Sequence, residues 1–261
     1  YEKAIELGAD NSTTIWNNYG IVLKRLERYD EAIEAYKNAI RLDNNYIYAH
    51  FNLSVVFEKA GRLEEAIEEC REALQLAPEE TDIIIQLAYE LLDHNEYAEA
   101  LQHCKKAIEI SPDNSRACEC LGNIEHNSGN YESAIESYKK SISLNNAEAA
   151  VHYMLAYSYE MLARYEESSS EYHEAIRLQP DDWWSYFNLS GVLRKQGKWK
   201  ETITPLLAAS KINPDDPDIF YCLSDCFQKL NFHVKARKSY NHGRSLENKN
   251  HRKEYGRVQH Y

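Results

Sequence analysis

The sequence predicts an all-α solenoid, a run of helical hairpins stacked one on the next. Three observations carry this. A sparse residue pattern recurs every 34 residues, seven times without a gap from Thr13 to Asn250. The residues held in the pattern are those that two packed helices need: small residues at crossings, an apolar wedge between them, a proline at the end. Glycine and proline are also scarce, 9 and 6 in 261 residues, so no flexible linker divides the chain. A fixed period of this length implies one array whose units touch their neighbours, without a central core.

The segments run 13–46, 47–80, 81–114, 115–148, 149–182, 183–216 and 217–250. In the first helix of each, an apolar residue precedes a small one: Tyr19-Gly20, Leu53-Ser54, Leu87-Ala88, Leu121-Gly122, Leu155-Ala156, Leu189-Ser190 and Leu223-Ser224. A small side chain there lets two helices touch. The second helix carries its own contact points at Ala32, Ala66, Ala100, Ala134, Ser168, Thr202 and Ala236. Further contacts follow at Ala39, Ala73, Ala107, Ser141, Ala175, Ala209 and Gly243. Between these two rows sits a wedge: Tyr36, Cys70, Cys104, Tyr138, Tyr172, Leu206 and Tyr240. Pro78, Pro112, Pro180 and Pro214 close their units, because the residue before a proline is driven out of the helical region. Residues 1–12 align with the second helix of a truncated copy, so the chain is expected to begin inside a repeat, and residues 251–261 form a basic C-terminal extension. Pro205 lies a few residues into a second helix, where a mild bend is expected.

This signature resembles the tetratricopeptide repeat, whose period and Leu-Gly, Ala, aromatic and Pro positions match over nearly the whole chain. The resemblance implies a right-handed superhelix in which residues two, five, six and nine of every first helix face a concave groove. Read at those positions, the chain supplies Tyr48, Phe51, Tyr89, Tyr153, Tyr157, Trp184, Phe187 and Tyr221, an unusual density of rings. Tyr and Trp offer large contact area at low conformational cost and dominate binding hot spots. The alternative is that the rings shield seams between repeats. Carboxamides at Asn18, Asn52, Gln86 and Asn188, with Asn123 at a ninth position, can pair with the backbone of an extended peptide. They resemble in part the asparagine ladder of O-linked N-acetylglucosamine transferases, a ladder broken here by Cys120, Met154 and Cys222. The Lys and Asn set with which some relatives clamp a chaperone tail is not supplied by any three successive segments.

The six cysteines fall on packing positions rather than at metal spacings; Cys118 and Cys120 point to different faces of one helix. Plain reduced packing thiols are expected, which favours a reducing compartment and a cytoplasmic location. Of the histidines, His50 and His152 share one register position and read as half-buried packing residues. No phosphate loop, nucleophile elbow, metal set or dinucleotide fingerprint is present, so no catalytic residue, metal or cofactor is expected. No apolar run approaches the ~18 residues a membrane span needs.

Charge is uneven. Residues 1–182 hold 35 acidic and 16 basic residues, a net −19, whereas residues 183–261 hold 7 and 14, a net +7. Solvated helix faces such as Glu64-Glu65 and Glu68-Glu69 explain much of the acidity. A basic partner, or the basic end of another copy, would also find the acidic body attractive, and nucleic acid would not. The expected function is therefore a non-enzymatic protein-binding scaffold that holds an extended peptide or partner segment in an aromatic groove. Two alternatives stand beside it: the repeat region of a larger enzyme such as a glycosyltransferase, and a self-assembling scaffold forming homo-oligomers.

Overall fold

The computed structural model describes residues 11–145 and 148–258 together with Lys3, with side chains as far as Lys249. The expected helix over 1–12 thus lies, Lys3 apart, outside the described residues. Fourteen helices and no strand occur among the described residues. In chain order they are α1 (Thr13–Arg25), α2 (Tyr29–Leu42), α3 (Ile47–Lys59), α4 (Leu63–Leu76), α5 (Thr81–Asp93), α6 (Tyr97–Ile110) and α7 (Ser115–Asn127). There follow α8 (Tyr131–Leu144), α9 (Ala149–Met161), α10 (Tyr165–Leu178), α11 (Trp183–Lys195), α12 (Trp199–Ile212), α13 (Pro217–Lys229) and α14 (His233–Val258). The chain is all-α, built of tandem helix-turn-helix repeats.

It divides into two compact units, Tyr1–Gly129 with α1–α7 and Asn130–Tyr261 with α8–α14. The division falls inside the fourth 34-residue segment, where no shift of composition marks it.

The turn inside each hairpin is made the same way every time. One residue takes a left-handed backbone: Glu27, Gly61, Asn95, Gly129, Ala163, Gly197 and Asn231, each with φ between 55° and 78°. The following amide then reaches back over the helix end, as Arg62 N–H does to Phe57 O at 2.8 Å and Arg164 N–H to Tyr159 O at 2.9 Å. Glycine or asparagine adopts this conformation at little cost, whereas Glu27 and Ala163 hold it against their Cβ. Asn231-Phe232-His233, irregular in sequence, folds into the same turn.

Second helices end on an extended residue whose N–H still bonds the carbonyl four back: Ala77 at φ −136°, Ser111 at −133°, Gln179 at −131° and Asn213 at −121°, each before its proline. Asp43 and Asn145 do the same at −148° and −151° without one. First helices begin under side-chain caps at Ser12, Asn114, Asp182 and Asp216. Each accepts a bond from an otherwise unsatisfied first-turn N–H. Pro205 is buried within α12 and does not end it.

The wedges fill the hairpin interiors. Tyr36, Cys70, Cys104, Tyr138, Tyr172 and Leu206 are fully buried. Tyr36 meets Gly20 so closely that an added Cβ would lie 2.6 Å from its ring, and Cys70 and Cys104 stand in the hairpins of Ser54 and Ala88. At the Tyr36–Gly20 crossing large meets small, as dense packing requires. Tyr240, unlike the other wedges, is not buried. Its ring is 50% exposed and tilts against Tyr221 at 5.5 Å, because no described helix follows α14 to cover it. The helix α14 itself continues to Val258, through the first residues of the basic extension.

Candidate functional site

The eleven residues singled out by register do not share one environment. In the first unit, Tyr48 stands out at 65% exposed, its ring edge-on to Tyr46 at 5.7 Å. Phe51 and Tyr89 are half-buried and pack against the core of α4–α7. The hydroxyl of Tyr89 is pushed well above its ordinary range by burial, beside Cys104, Cys120 and Glu119. These two rings serve the seam between hairpins, and so does Ile85, fully buried at the fifth position of its first helix, one of those the resemblance assigns to the groove. The carboxamides are engaged within the fold. Asn52 Nδ2 donates to Asn17 Oδ1 at 3.1 Å, and Gln86 Nε2 donates to Glu58 Oε2 at 2.8 Å and Glu90 Oε1 at 3.1 Å. Gln86 and Cys120 are buried rather than open to a groove. Asn123 is half-buried.

In the second unit the rings are more open. Tyr157 is 38% and Trp184 51% exposed. Trp184 stacks on Trp183 with centroids 4.2 Å apart and meets Phe187 edge-on at 6.1 Å. Tyr153 lies half-buried, edge-on to the wedge Tyr172 at 5.6 Å, and its hydroxyl accepts from Asn188 Nδ2 at 3.0 Å. Asn188 also donates to Trp184 O at 3.0 Å. Tyr221 donates to Glu247 Oε2 at 2.7 Å, and the carboxylate beside it pushes its hydroxyl up to about 12. Further along the same face, Lys195 reaches Glu160 at 2.8 Å, and Arg194 donates to Cys222 Sγ at 2.9 Å. In the first unit, successive first helices also pack against each other; in the second they are bridged mainly by such side chains.

A recess in each unit's first-helix face has a register equivalent in the other, 102 residues apart. The first, of about 180 Å³, is walled by Ile47, Tyr48 and Phe51 of α3 and Ile83 of α5, with Glu80 and Asp82 at its rim. The second, of about 400 Å³, is walled by Ala149, Ala150 and Tyr153 of α9 and Trp184 of α11, with Gln179 and Asp182 at its rim. Two alanines where the first unit has Ile47 and Tyr48 account for the larger space.

Behind each recess lies a feature that the sequence reading understated. His50 and His152 are not merely packed: each is buried with Nδ1 2.7 Å from a second-helix carboxylate, Glu69 and Glu171 respectively. His50 Nε2 also faces Asn44 O at 3.0 Å. An acceptor faces each nitrogen, an arrangement that favours the protonated ring, and the Glu69 hydrogen bond raises its pKa above the ordinary value. Three of the four glutamates assigned to solvated faces have a partner: Glu69 at His50, Glu65 at Arg62, and Glu64 at His94, 3.8 Å away. A histidine and a glutamate 19 residues apart, repeated 102 residues on, was the signal available in the sequence.

All six cysteines are free thiols, and all but Cys222 are buried. Among the described residues, no three His, Cys, Asp or Glu side chains gather so as to hold a metal ion, and no helix is long and apolar enough to cross a membrane.

Comparison with known proteins agrees with this architecture. Among solved structures, the Cut9–Hcn1 hetero-tetramer of the APC/C superposes with a TM-score of 0.76 at 16% identity, over 86% of this chain and 44% of that one. The chain thus spans under half of that relative's length. Pseudomonas aeruginosa pilF aligns at 0.68 and 20% identity, over 79% and 94%. YrrB, described as a TPR protein with an unusual peptide-binding site, aligns at 0.53 and 21%, over 70% and 94%. At these identities the likeness is one of fold. No curated protein matches the sequence. Models of the tetratricopeptide repeat match residues 16–81 and 153–217, 81–114 and 122–162, with the first two stretches alone making up half of the chain. Hairpin geometry, wedge register and these matches agree: the chain belongs to the tetratricopeptide repeat family.

Proposed function

We propose that this protein is a binding scaffold whose first-helix face forms a concave, aromatic-rich groove for an extended peptide or partner segment. It carries out no chemistry of its own and resides in the cytoplasm. The observation that supports this best is the second unit's open ring cluster. Trp184, half exposed, lines a recess of about 400 Å³ with Tyr153 and two alanines, and Tyr157 is exposed one turn beyond Tyr153 on the same helix. Exposed rings around an unfilled recess contribute little to folding and match the anchors from which interfaces are built. Tyr153, Phe187, Asn188 and Tyr221 extend this contact surface, and Tyr48, Phe51 and Asn52 supply its counterpart in the first unit. Tyr89 and Asn123 lie deeper and position their neighbours. Six free thiols in packing positions support a reducing compartment.

Replacing Tyr153, Tyr157 and Phe187 with Ala is expected to abolish capture of a partner in pull-downs while leaving the circular dichroism spectrum helical. Because Tyr153 also packs on Tyr172, Trp184→Ala alone serves as the milder variant and should weaken capture without changing the melting temperature. Undiminished capture by both variants would remove the groove from consideration.

A further inference from the structure

We infer that the two recesses take side chains of opposite kind from a partner protein segment: the first unit's recess a cationic side chain, Arg or Lys, and the second's an uncharged bulky apolar one. This rests on the groove reading above and assigns the chemistry of its two stations. The difference lies in their rim carboxylates. Glu80 and Asp182 hold the same register position, each preceding a first helix. Asp182 caps α11, accepting from the Trp184 and Ser185 amides at 3.2 and 3.1 Å and from the Ser185 hydroxyl. Its acceptor capacity is thereby largely taken up. Glu80 makes no cap bond to α5, and no hydrogen bond or ion pair engages its carboxylate among the described residues. It stands free beside the Tyr48 ring, which is 65% exposed.

A ring face and an unpaired carboxylate on either side of an apolar slot suit an arginine or lysine. The methylene stem lies along Phe51 and Ile83, and the cation reaches both Tyr48 and Glu80. A slot of about 180 Å³ suits a stem better than a ring system. In the second recess the position of Asp82, whose carboxylate is itself paired with Arg116 at 3.2 Å and so leaves Glu80 as the free rim charge, is occupied by Trp184, and the floor is opened by Ala149 and Ala150. The surrounding charge follows the same division. The first unit holds 25 acidic and 12 basic residues, net −13, and the second 17 and 18, net +1.

The test is an NMR titration of the whole chain with short Gly/Ser peptides carrying a single central Arg, Glu or Trp. The Ile47 and Ile83 methyls report the first recess, and the Trp184 indole N–H the second. The Arg peptide should shift the methyls and the Glu peptide should not, while the Trp peptide should shift the indole. Glu80→Gln, which removes no bond of the fold, should weaken the Arg peptide about three- to fivefold and leave the Trp peptide unchanged. Added salt should weaken the Arg peptide in the same direction. Ala150→Tyr, copying Tyr48, should weaken the Trp peptide alone. Equal methyl shifts from Arg and Glu, or insensitivity to Glu80→Gln, would overturn the assignment and leave the groove standing. No shift from any peptide would overturn both.

Discussion

The hairpins 47–80 and 149–182 are built to one plan. His50–Glu69 recurs as His152–Glu171, each at 2.7 Å, and Arg62–Glu65 recurs as Arg164–Glu167. Arg62 over the Phe57 ring at 4.6 Å recurs as Arg164 over Tyr159 at 4.7 Å. Yet their surroundings diverge. The buried wedge is Cys70 in one and Tyr172 in the other, the turn residue Gly61 or Ala163, and the buried position on the next first helix Glu90 or Val192. The comparison teaches that the inter-helix frame is held while the volumes and charges around it vary, and that the binding face varies with them.

Glu90 offers the largest way to break the comparison. Its carboxyl is fully buried, Oε2 lacks a hydrogen-bond partner among the described residues, and burial pushes its pKa up to about 7. The ordinary value is 4.5, so between pH 4.5 and 7 the folded chain holds a proton that the unfolded chain releases. Stability contributed there is present below 4.5 and lost as pH rises through 7. Glu90→Val, copying Val192, should remove this dependence and stabilise the first unit above pH 7 by on the order of 3 kcal/mol. Hydrogen exchange of α5 amides across that range measures it, and a flat profile in the parent chain would refute it.

Next in size are the histidine pairs. His50→Ala and His152→Ala each leave a part-buried glutamate without its partner and should cost about 1–3 kcal/mol in their own unit. Denaturant melts of both variants should give similar losses. A negligible loss in one would show that the shared geometry hides unequal energetics. The turns come third. Ala163→Gly should stabilise the second unit by about 0.5–1 kcal/mol and Gly61→Ala destabilise the first by as much, since only glycine holds positive φ without strain. Thermal melting distinguishes the signs.

The smallest effect sharpens the pairing itself. His50 should titrate above the ordinary histidine value near ~6.5, as its bond to Glu69 requires. The stability this pair contributes is fully present below the unfolded value and fades as pH rises through the raised folded one. Ring-proton NMR against pH reads the midpoint, and an ordinary or depressed value would contradict the raised pKa.

Much of the fold was legible because a hairpin can be read locally. Gly20 opposite Tyr36 and proline after four of the extended residues, Ala77, Ser111, Gln179 and Asn213, are choices that neighbouring residues explain. The seven left-handed turns follow from register even where Glu27 or Ala163 disguises them. The candidate face was legible only as positions. Tyr89 and Tyr157 are both ninth residues of a first helix, and nothing local separates them. The wedge one hairpin turn later does. Cys104 is small and leaves room that the Tyr89 ring occupies, whereas Tyr172 fills that room and leaves Tyr157 in solvent. The carboxamide ladder failed for a related reason. Asn52, Gln86 and Asn188 find partners on the adjacent first helix, and those partners come from segments 28 to 35 residues away.

The amino-acid sequence by itself determined that this chain is a stack of helical hairpins, where each turns and which residues wedge it open, because these depend on backbone preference and side-chain size within one 34-residue period. Tertiary structure alone decided which rings face solvent, which carboxylates stand free and which histidines meet a carboxylate. Those properties depend on side chains that the fold brings in from the partner helix of the hairpin, as with His50 and Glu69, 19 residues apart, and from neighbouring first helices 28 to 35 residues away, and the repeat register does not encode those contacts.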